Sequence, residues 1–195
     1  MSISPNHIRR FFETFQRQEC DDRDLLPAGV LVPLFEKNGE LHVVLTQRTD
    51  EVEHHKGQIS FPGGVKNERD TTIIETALRE TEEEIGLTRN VVNVLGMLND
   101  FQTPSGFRIT PVVAFLLSVP LFSINTAEVS QIFDVPLSFF LDACNERVER
   151  HNRSGKMVNV YFYRYGQYEI WGATAAMLRS FLHDLIFWLE SKKIL

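Results

Sequence analysis

The stretch from Gly63 to Leu87 constrains this chain more than any other. Its centre is the run Arg79-Glu80-Thr81-Glu82-Glu83-Glu84-Ile85-Gly86-Leu87. Four glutamates in five positions repel one another on a plain surface helix. Like charges three or four residues apart cost about 0.2–0.5 kcal/mol per pair. Something must oppose that repulsion, and a divalent cation is the simplest candidate. A helix turns about 100° per residue. With Glu80 at zero, Glu84 falls at about +40° and Glu83 at about −60°, so the three share one stripe. Glu82 points away to solvent. Ile74, Ala77, Leu78, Thr81 and Ile85 lie about 60–160° round and predict a core-facing side. Carboxylates are hard oxygen ligands that suit Mg²⁺ or Mn²⁺. Gly86 stands where a left-handed residue ends a helix.

A glutamate-rich run also describes a solvated helix held by an Arg79–Glu83 pair. The preceding Phe61-Pro62-Gly63-Gly64 shifts the balance. Paired glycines let the backbone come close to a metal or a phosphate. A glycine turn leading into a carboxylate helix is a metal-plus-phosphate arrangement.

These residues resemble the signature of the Nudix hydrolases: Gly, five residues, Glu, seven residues, then Arg-Glu-U-x-Glu-Glu-x-Gly-U, with U a bulky apolar residue. Arg79 to Leu87 matches the second half, with Thr81 at one U position. The first half departs from it. Gly64 lies fifteen residues before Arg79 where the signature has fourteen, and Asp70 stands six after Gly64 where it has Glu. The resemblance implies an α/β fold, a Nudix-type α/β/α sandwich with a mixed, curved sheet. It also implies direct metal ligation by Glu80 and Glu84, with Glu83 a shared ligand or base. The carbonyls of Gly63 and Gly64 complete the shell. Arg79 orients the carboxylates without touching substrate, and the general base stays open.

At 195 residues, 43% apolar and 24% charged, the chain suits one globular domain over 1–195. Residues 1–26 form an N-terminal helical extension and 27–195 the core with a C-terminal helix. A net charge of −6 argues against general nucleic-acid binding. An acidic protein that handles phosphates needs cations to bridge the two. Cys20 and Cys144 form no motif and predict reduced, buried thiols. No apolar run reaches membrane-spanning length and the first residues lack a signal-peptide core, so the cytoplasm is the expected compartment.

Ser4-Pro5 predicts a helix start, and Ile8, Phe11, Phe12 and Phe15 mark its apolar side. Whether that side packs on the domain or on a second subunit is open, and with it a homodimer. Ala28 to Phe35 and Leu41 to Arg48 predict strands joined by an Asn38-Gly39 hairpin. Further strands are expected over Val91 to Leu98 and Ile109 to Val119. Between them, Asn99 to Phe107 predicts a loop in which Phe101 or Phe107 stacks on a base. Glu128 reads as a strand-edge residue rather than an added carboxylate near the metals. Pro136 to Asn145 predicts a helix. Arg147 to Asn152 and Met157 to Tyr163 predict a hairpin, followed by a short strand, Tyr168 to Trp171, and a helix from Gly172 to about Ser191. Trp171 is assigned to the core.

A second resemblance narrows the family. Leu45-Thr46-Gln47-Arg48-Thr49, then Gly57 and Phe61-Pro62-Gly63-Gly64, is similar to the upstream motif of the coenzyme A pyrophosphatase branch. Val44 replaces its first Leu, Thr49 its Ser/Ala, and Glu53 the usual second arginine, whose charge His54, His55 or Lys56 would have to replace. Asp100-x-x-Thr103-Pro104-x-Gly106-Phe107 and Ile170-Trp171-Gly172-x-Thr174 resemble the same branch. The implied reaction is metal-dependent hydrolysis of coenzyme A and its thioesters to 3′,5′-ADP and 4′-phosphopantetheine. Arg48 would fork two phosphate oxygens, and Gly63, Gly64 and Phe101 would line the substrate. ADP-ribose or another nucleoside diphosphate is the alternative substrate, favoured in other branches by a proline near the position of Pro104. A ligand sensor without turnover would have an eroded carboxylate set, and Glu80, Glu83 and Glu84 are all present.

Overall fold

The computed structural model describes residues 3–49, 57–153 and 155–193. Glu53, His54, His55 and Lys56 lie outside the described residues. Ser4 caps α1 (Pro5–Phe12): its hydroxyl accepts from the His7 N–H, and the His7 ring accepts from the Ser4 N–H. The strands β1 (Leu26–Lys37) and β2 (Glu40–Arg48) are joined by Asn38 and Gly39, both at positive φ, as a tight hairpin demands. The short strands β3 (Ile59–Ser60) and β4 (Gly63–Val65) lead into α2 (Ile73–Ile85). Thr72 caps α2 at one end, and Gly86, left-handed at φ 70°, closes it at the other. Then come β5 (Val92–Met97), β6 (Phe101–Gln102), β7 (Phe107–Leu116), β8 (Val129–Pro136) and α3 (Leu137–Leu141). The chain continues through β9 (Glu146–Arg153), β10 (Lys156–Tyr165), β11 (Tyr168–Trp171) and α4 (Gly172–Ser191).

The main sheet runs β3-β2-β1-β7-β5, with β4 on β1, β6 on β7 and β8 on β2. The β1–β7 pair is parallel and β1–β2 antiparallel, so the sheet is mixed. Successive side chains of a strand face opposite ways, and β1 shows the consequence. Val30, Val32 and Leu34 enter one core cluster with Ile8, Phe11, Leu178, Phe181 and Leu185. Leu31 and Phe35 enter another with Ala77, Leu78 and Ile85. Helices α1 and α4 therefore cover one face and α2 the other, which is the expected α/β/α sandwich. A second sheet, β11-β10-β9, packs through β10 and β11 on α4.

The first helix packs on this domain. Phe11 is buried and its ring lies 4.7 Å from Phe15 and 6.2 Å from both Phe181 and Trp188. Among the described residues no helix is long and apolar enough to cross a membrane.

Several expectations are corrected. Trp171 is 37% exposed and stacks on Phe162 at 5.9 Å, because its position in β11 faces away from α4. Neither cysteine is buried: Cys20 is half-buried and Cys144 exposed, both as free thiols. Strand β7 ends at Leu116, leaving Leu117 and Val119 exposed. The expected helix over Pro136 to Asn145 breaks into α3 and a 3₁₀ turn, Ala143–Asn145, capped by the Asp142 carboxylate. The loop from Asn99 to Phe107 contains β6, paired with β7.

Phe11→Ala is expected to lower unfolding stability by about 3–5 kcal/mol, since the cavity lies between two helices that cannot easily close. Urea denaturation measures this; a loss under about 1 kcal/mol would mean α1 is not part of the cooperative core.

Candidate functional site

The site is built where α2 crosses β4. Strand β4 pairs with β1 at Gly63↔Val30 and Gly64↔Gly29, which brings its backbone under the helix. A Cβ on Gly64 would lie 2.6 Å from the Glu80 carboxyl carbon, so any side chain there would push that carboxylate out of its present position. Glu84 is 3% exposed, and its Oε2 accepts from the Gly63 N–H at 3.1 Å. The glycine pair thus cradles two of the three predicted carboxylates.

The third, Glu83, is exposed and held by Arg79. Arg79 Nη1 reaches Glu80 Oε1 at 2.8 Å and Glu83 Oε2 at 2.9 Å. Its Nε and Nη2 fork the two oxygens of Asp70 at 3.0 and 2.9 Å. Asp70 is buried and also accepts from the Asn67 N–H and the Thr76 hydroxyl. The Asn67 side chain accepts from the N–H groups of Arg69 and Asp70, forming a compact turn that delivers Asp70 to Arg79. The Arg79 fork holds the Asp70 carboxyl well below the usual carboxylate range. Asp70 in turn raises the Arg79 pKa.

The sequence predicts Glu80, Glu83 and Glu84 on one stripe. The structure spreads them from buried Glu84, through Glu80, to exposed Glu83. Among the described residues, no three His, Cys, Asp or Glu side chains converge closely enough to hold a metal ion between them. Arg79 lies between Glu80 and Glu83, which is how the helix tolerates their charge.

Burial pushes the Glu84 carboxyl up to about 7 from 4.5; the Gly63 N–H and Arg48 oppose this, while Glu128 and Glu80 add to it. Burial also raises Glu80, opposed by Arg79 and reinforced by Glu83 and Glu128. Glu128, which stands immediately before β8 as a strand-edge residue would, thus adds its charge to the field on both carboxylates. It arrives through tertiary bonds. The Asn125 N–H donates to the Glu84 carbonyl at 2.9 Å, and the Asn125 side-chain amide donates to Glu128 Oε1 at 3.0 Å. The Thr49 N–H donates to the Glu128 carbonyl. Asn125 and Glu128 carry no spacing relation to the helix, so sequence periodicity gives no sign of them.

Arg48 ends β2 on the α2 side, and its Nη1 lies 3.6 Å from Glu84 Oε1. Its Nε is buried without a hydrogen-bond partner among the described residues. Phe101 is not brought to these groups. It packs against the core cluster on the α1/α4 face and lines a small cavity with Met177 and Phe181.

The donor set fits a divalent cation. Two buried or half-buried carboxylates with raised pKa values, a third anion acting on both, and a backbone with no Cβ in the way favour added positive charge. The residues placed to hold one are Glu80, Glu84 and the Gly63–Gly64 backbone.

A family model described as the NUDIX domain matches residues 25–156. A relative in Photorhabdus laumondii, named an uncharacterized Nudix hydrolase, NudL, is 40% identical over 153 residues, covering 78% of this chain and 81% of the relative. The Yersinia enterocolitica protein of the same name is 38% identical over 188 residues, covering 92% and 93%. A solved MutT/nudix family protein from Enterococcus faecalis shares the fold at a TM-score of 0.51 and 15% identity, over 94% of this chain and 75% of that one.

Because the folded pKa of Glu84 lies above its ordinary value, its contribution favours the metal-free fold below about 4.5 and is lost as pH rises through about 7. Glu84→Gln removes that titration while keeping an acceptor for the Gly63 N–H. In excess chelator the variant is expected to gain on the parent between pH 5 and 8, by an amount on the order of 1–3 kcal/mol. Urea denaturation across that range checks it; a constant difference at all pH values would contradict burial as the cause.

Proposed function

The chain belongs to the Nudix hydrolase family, and on that premise we propose that it is a coenzyme A diphosphatase. It would cut coenzyme A and its thioesters at the pyrophosphate, giving 3′,5′-ADP and 4′-phosphopantetheine. One observation carries the reading. Arg48 belongs to the upstream segment Leu45 to Thr49 that resembles the coenzyme A branch, and it approaches Glu84 of the family helix to 3.6 Å. The branch-like segment and the acidic helix meet at one place.

Nudix hydrolases generally use divalent metals. When bound, Mg²⁺ or Mn²⁺ supplies neutralisation of the pyrophosphate oxygens and lowers the pKa of an attacking water. Glu80 and Glu84 are the proposed direct ligands, with the carbonyls of Gly63 and Gly64 beside them. Glu83 is proposed as a shared ligand or base. Glu128, whose charge reaches both ligands, joins it as a candidate to accept the water's proton.

Arg48 has the properties of a phosphate contact. Its ion pair is long, its Nε lacks a partner among the described residues, and a guanidinium forks two oxygens readily. Arg79 has the opposite character: Nε, Nη1 and Nη2 all hold carboxylates, which makes it a positioning residue. Phe101, packed in the opposite face of the sandwich, leaves the proposed substrate set. The thioester sulfur is remote from the broken bond, so acyl groups are compatible with the reaction.

The test is a panel of coenzyme A, dephospho-coenzyme A, ADP-ribose and NADH with Mg²⁺ or Mn²⁺. Release of 4′-phosphopantetheine is expected, with the first substrate preferred over the second if the 3′-phosphate is read. Cleavage of ADP-ribose without release from coenzyme A would reject the reading. Glu84→Gln is expected to cut turnover by orders of magnitude with the fold intact. Arg48→Ala is expected to lower kcat/KM roughly 10- to 100-fold, the loss of a charge-assisted contact of about 1.5–3 kcal/mol. Unchanged kinetics would return Arg48 to an ordinary ion pair with Glu84.

A further inference from the structure

Strand β9 is an edge. In the sheet β11-β10-β9 it pairs, among the described residues, with β10 alone, which leaves an outer row of backbone N–H and C=O groups with no strand beside it there. Charged side chains normally blunt such an edge. Here the order of the charges does something else. Around Val148 the sequence is Glu146-Arg147-Val148-Glu149-Arg150. Reversing it about Val148 exchanges every acid with a base.

An antiparallel strand pair related by a two-fold axis places residues at equal distances from the axis opposite each other. Both members of each pair must face the seam in the same way, so the axis passes through a residue position. With Val148 on the axis, Glu146 opposes Arg150 of the second copy and Arg147 opposes Glu149. Each pair occurs twice by symmetry, giving four opposite-charge pairs around an apolar contact. Moving the axis to Arg147, Glu149 or Arg150 sets a charge against its own copy. Cross-strand pairs of opposite charge stabilise a sheet and like pairs destabilise it, so one register is selected.

The structure exposes the apolar centre of this edge and leaves one of its four charges without an ion pair among the described residues, while the other three already have partners within the chain. Val148 is 45% exposed, an apolar side chain with Tyr161 across from it on β10 and no strand on its other side among the described residues. Arg150 is exposed and makes no ion pair among the described residues. Glu146 accepts from Arg179 and the Tyr163 hydroxyl through Oε2, which fixes its carboxylate, so a contact with Arg150 of a second copy would add to an existing ion pair. Arg147 contacts Glu149 and Glu169 and lies over the Phe162 ring, so the outer face of the strand is set in place before any partner arrives.

We propose that β9 is the interface of a homodimer, in which two copies pair antiparallel about Val148 and join their three-stranded sheets into one of six strands. The occupant of the edge is a second copy of this chain, because the charge order complements itself. The dimer lies away from the acidic helix and does not depend on which substrate that helix serves.

Molar mass of the full chain, followed by analytical ultracentrifugation over a wide concentration range, tests this. A monomer–dimer equilibrium is expected that weakens as salt rises. Val148→Lys puts two like charges on the axis and is expected to raise the dissociation constant at least tenfold. Arg150→Glu, which sets acid against Glu146 of the other copy, is expected to do the same. Circular dichroism of both variants controls for folding. Should Val148→Lys fail to fold, Arg150→Glu carries the test alone, since its side chain is free in the monomer. In the parent, the amides of β9 should exchange more slowly at dimer-forming concentration than at dilution. A parent that stays monomeric at about 100 µM, or a dimer that survives both substitutions, overturns the proposal.

Discussion

The acidic helix depends on one guanidinium. Arg79 makes four contacts to three carboxylates, two of them on its own helix and the third, Asp70, on the preceding turn. Without it, Glu80 and Glu83 would repel each other along α2, and the Asn67–Asp70 turn would leave a buried carboxylate unpaired. With it, the repulsion is confined to the side of the helix where β4 passes. The glycine strand completes the arrangement by removing the side chains that would block Glu80 and by donating the Gly63 N–H to Glu84. Charge is gathered at one end of the site because it is neutralised at the other.

Much of this is readable from the sequence because it is local. The helical period separates the apolar side of α2 from its carboxylates, Gly86 marks the end, and the glycine pair announces a close backbone approach. The continuous apolar run from Ala28 to Phe35 reads as a buried strand, which calls for packing on both sides of the sheet. The same reasoning places Ser4 and the Asn38-Gly39 turn correctly. These features are decided by neighbours within a few residues.

What escaped is decided at a distance. Trp171 has the composition of a core residue, but its face is set by the register of β11 on β10, which turns it outward onto Phe162. Phe101 sits in a loop suited to a ligand, yet β6 pairs with β7 and lays its ring on the α1/α4 face. Glu128 reads as an edge residue, and its charge reaches the carboxylates because the Asn125 N–H meets the Glu84 carbonyl, a bond spanning 41 positions in the chain (125 − 84). Asp70 is displaced from the signature spacing, and only the folded Asn67 turn shows that the carboxylate still reaches Arg79.

The gradient of burial across the three glutamates is itself informative. A ligand that must stay in place benefits from being fixed, and Glu84 is fixed by burial, by a backbone donor and by Arg48. That fixation is unfavourable to the charged form in the free protein, since a carboxylate shielded from water holds its proton to higher pH. Glu83 has the reverse balance: it is solvated, and its ion pair is with Arg79. The proposed reaction, which would bind a cation and move a proton, calls for both kinds of group, one preorganised and one solvated. The helix supplies them one residue apart, because a step of about 100° carries a side chain from the sheet side to the solvent side.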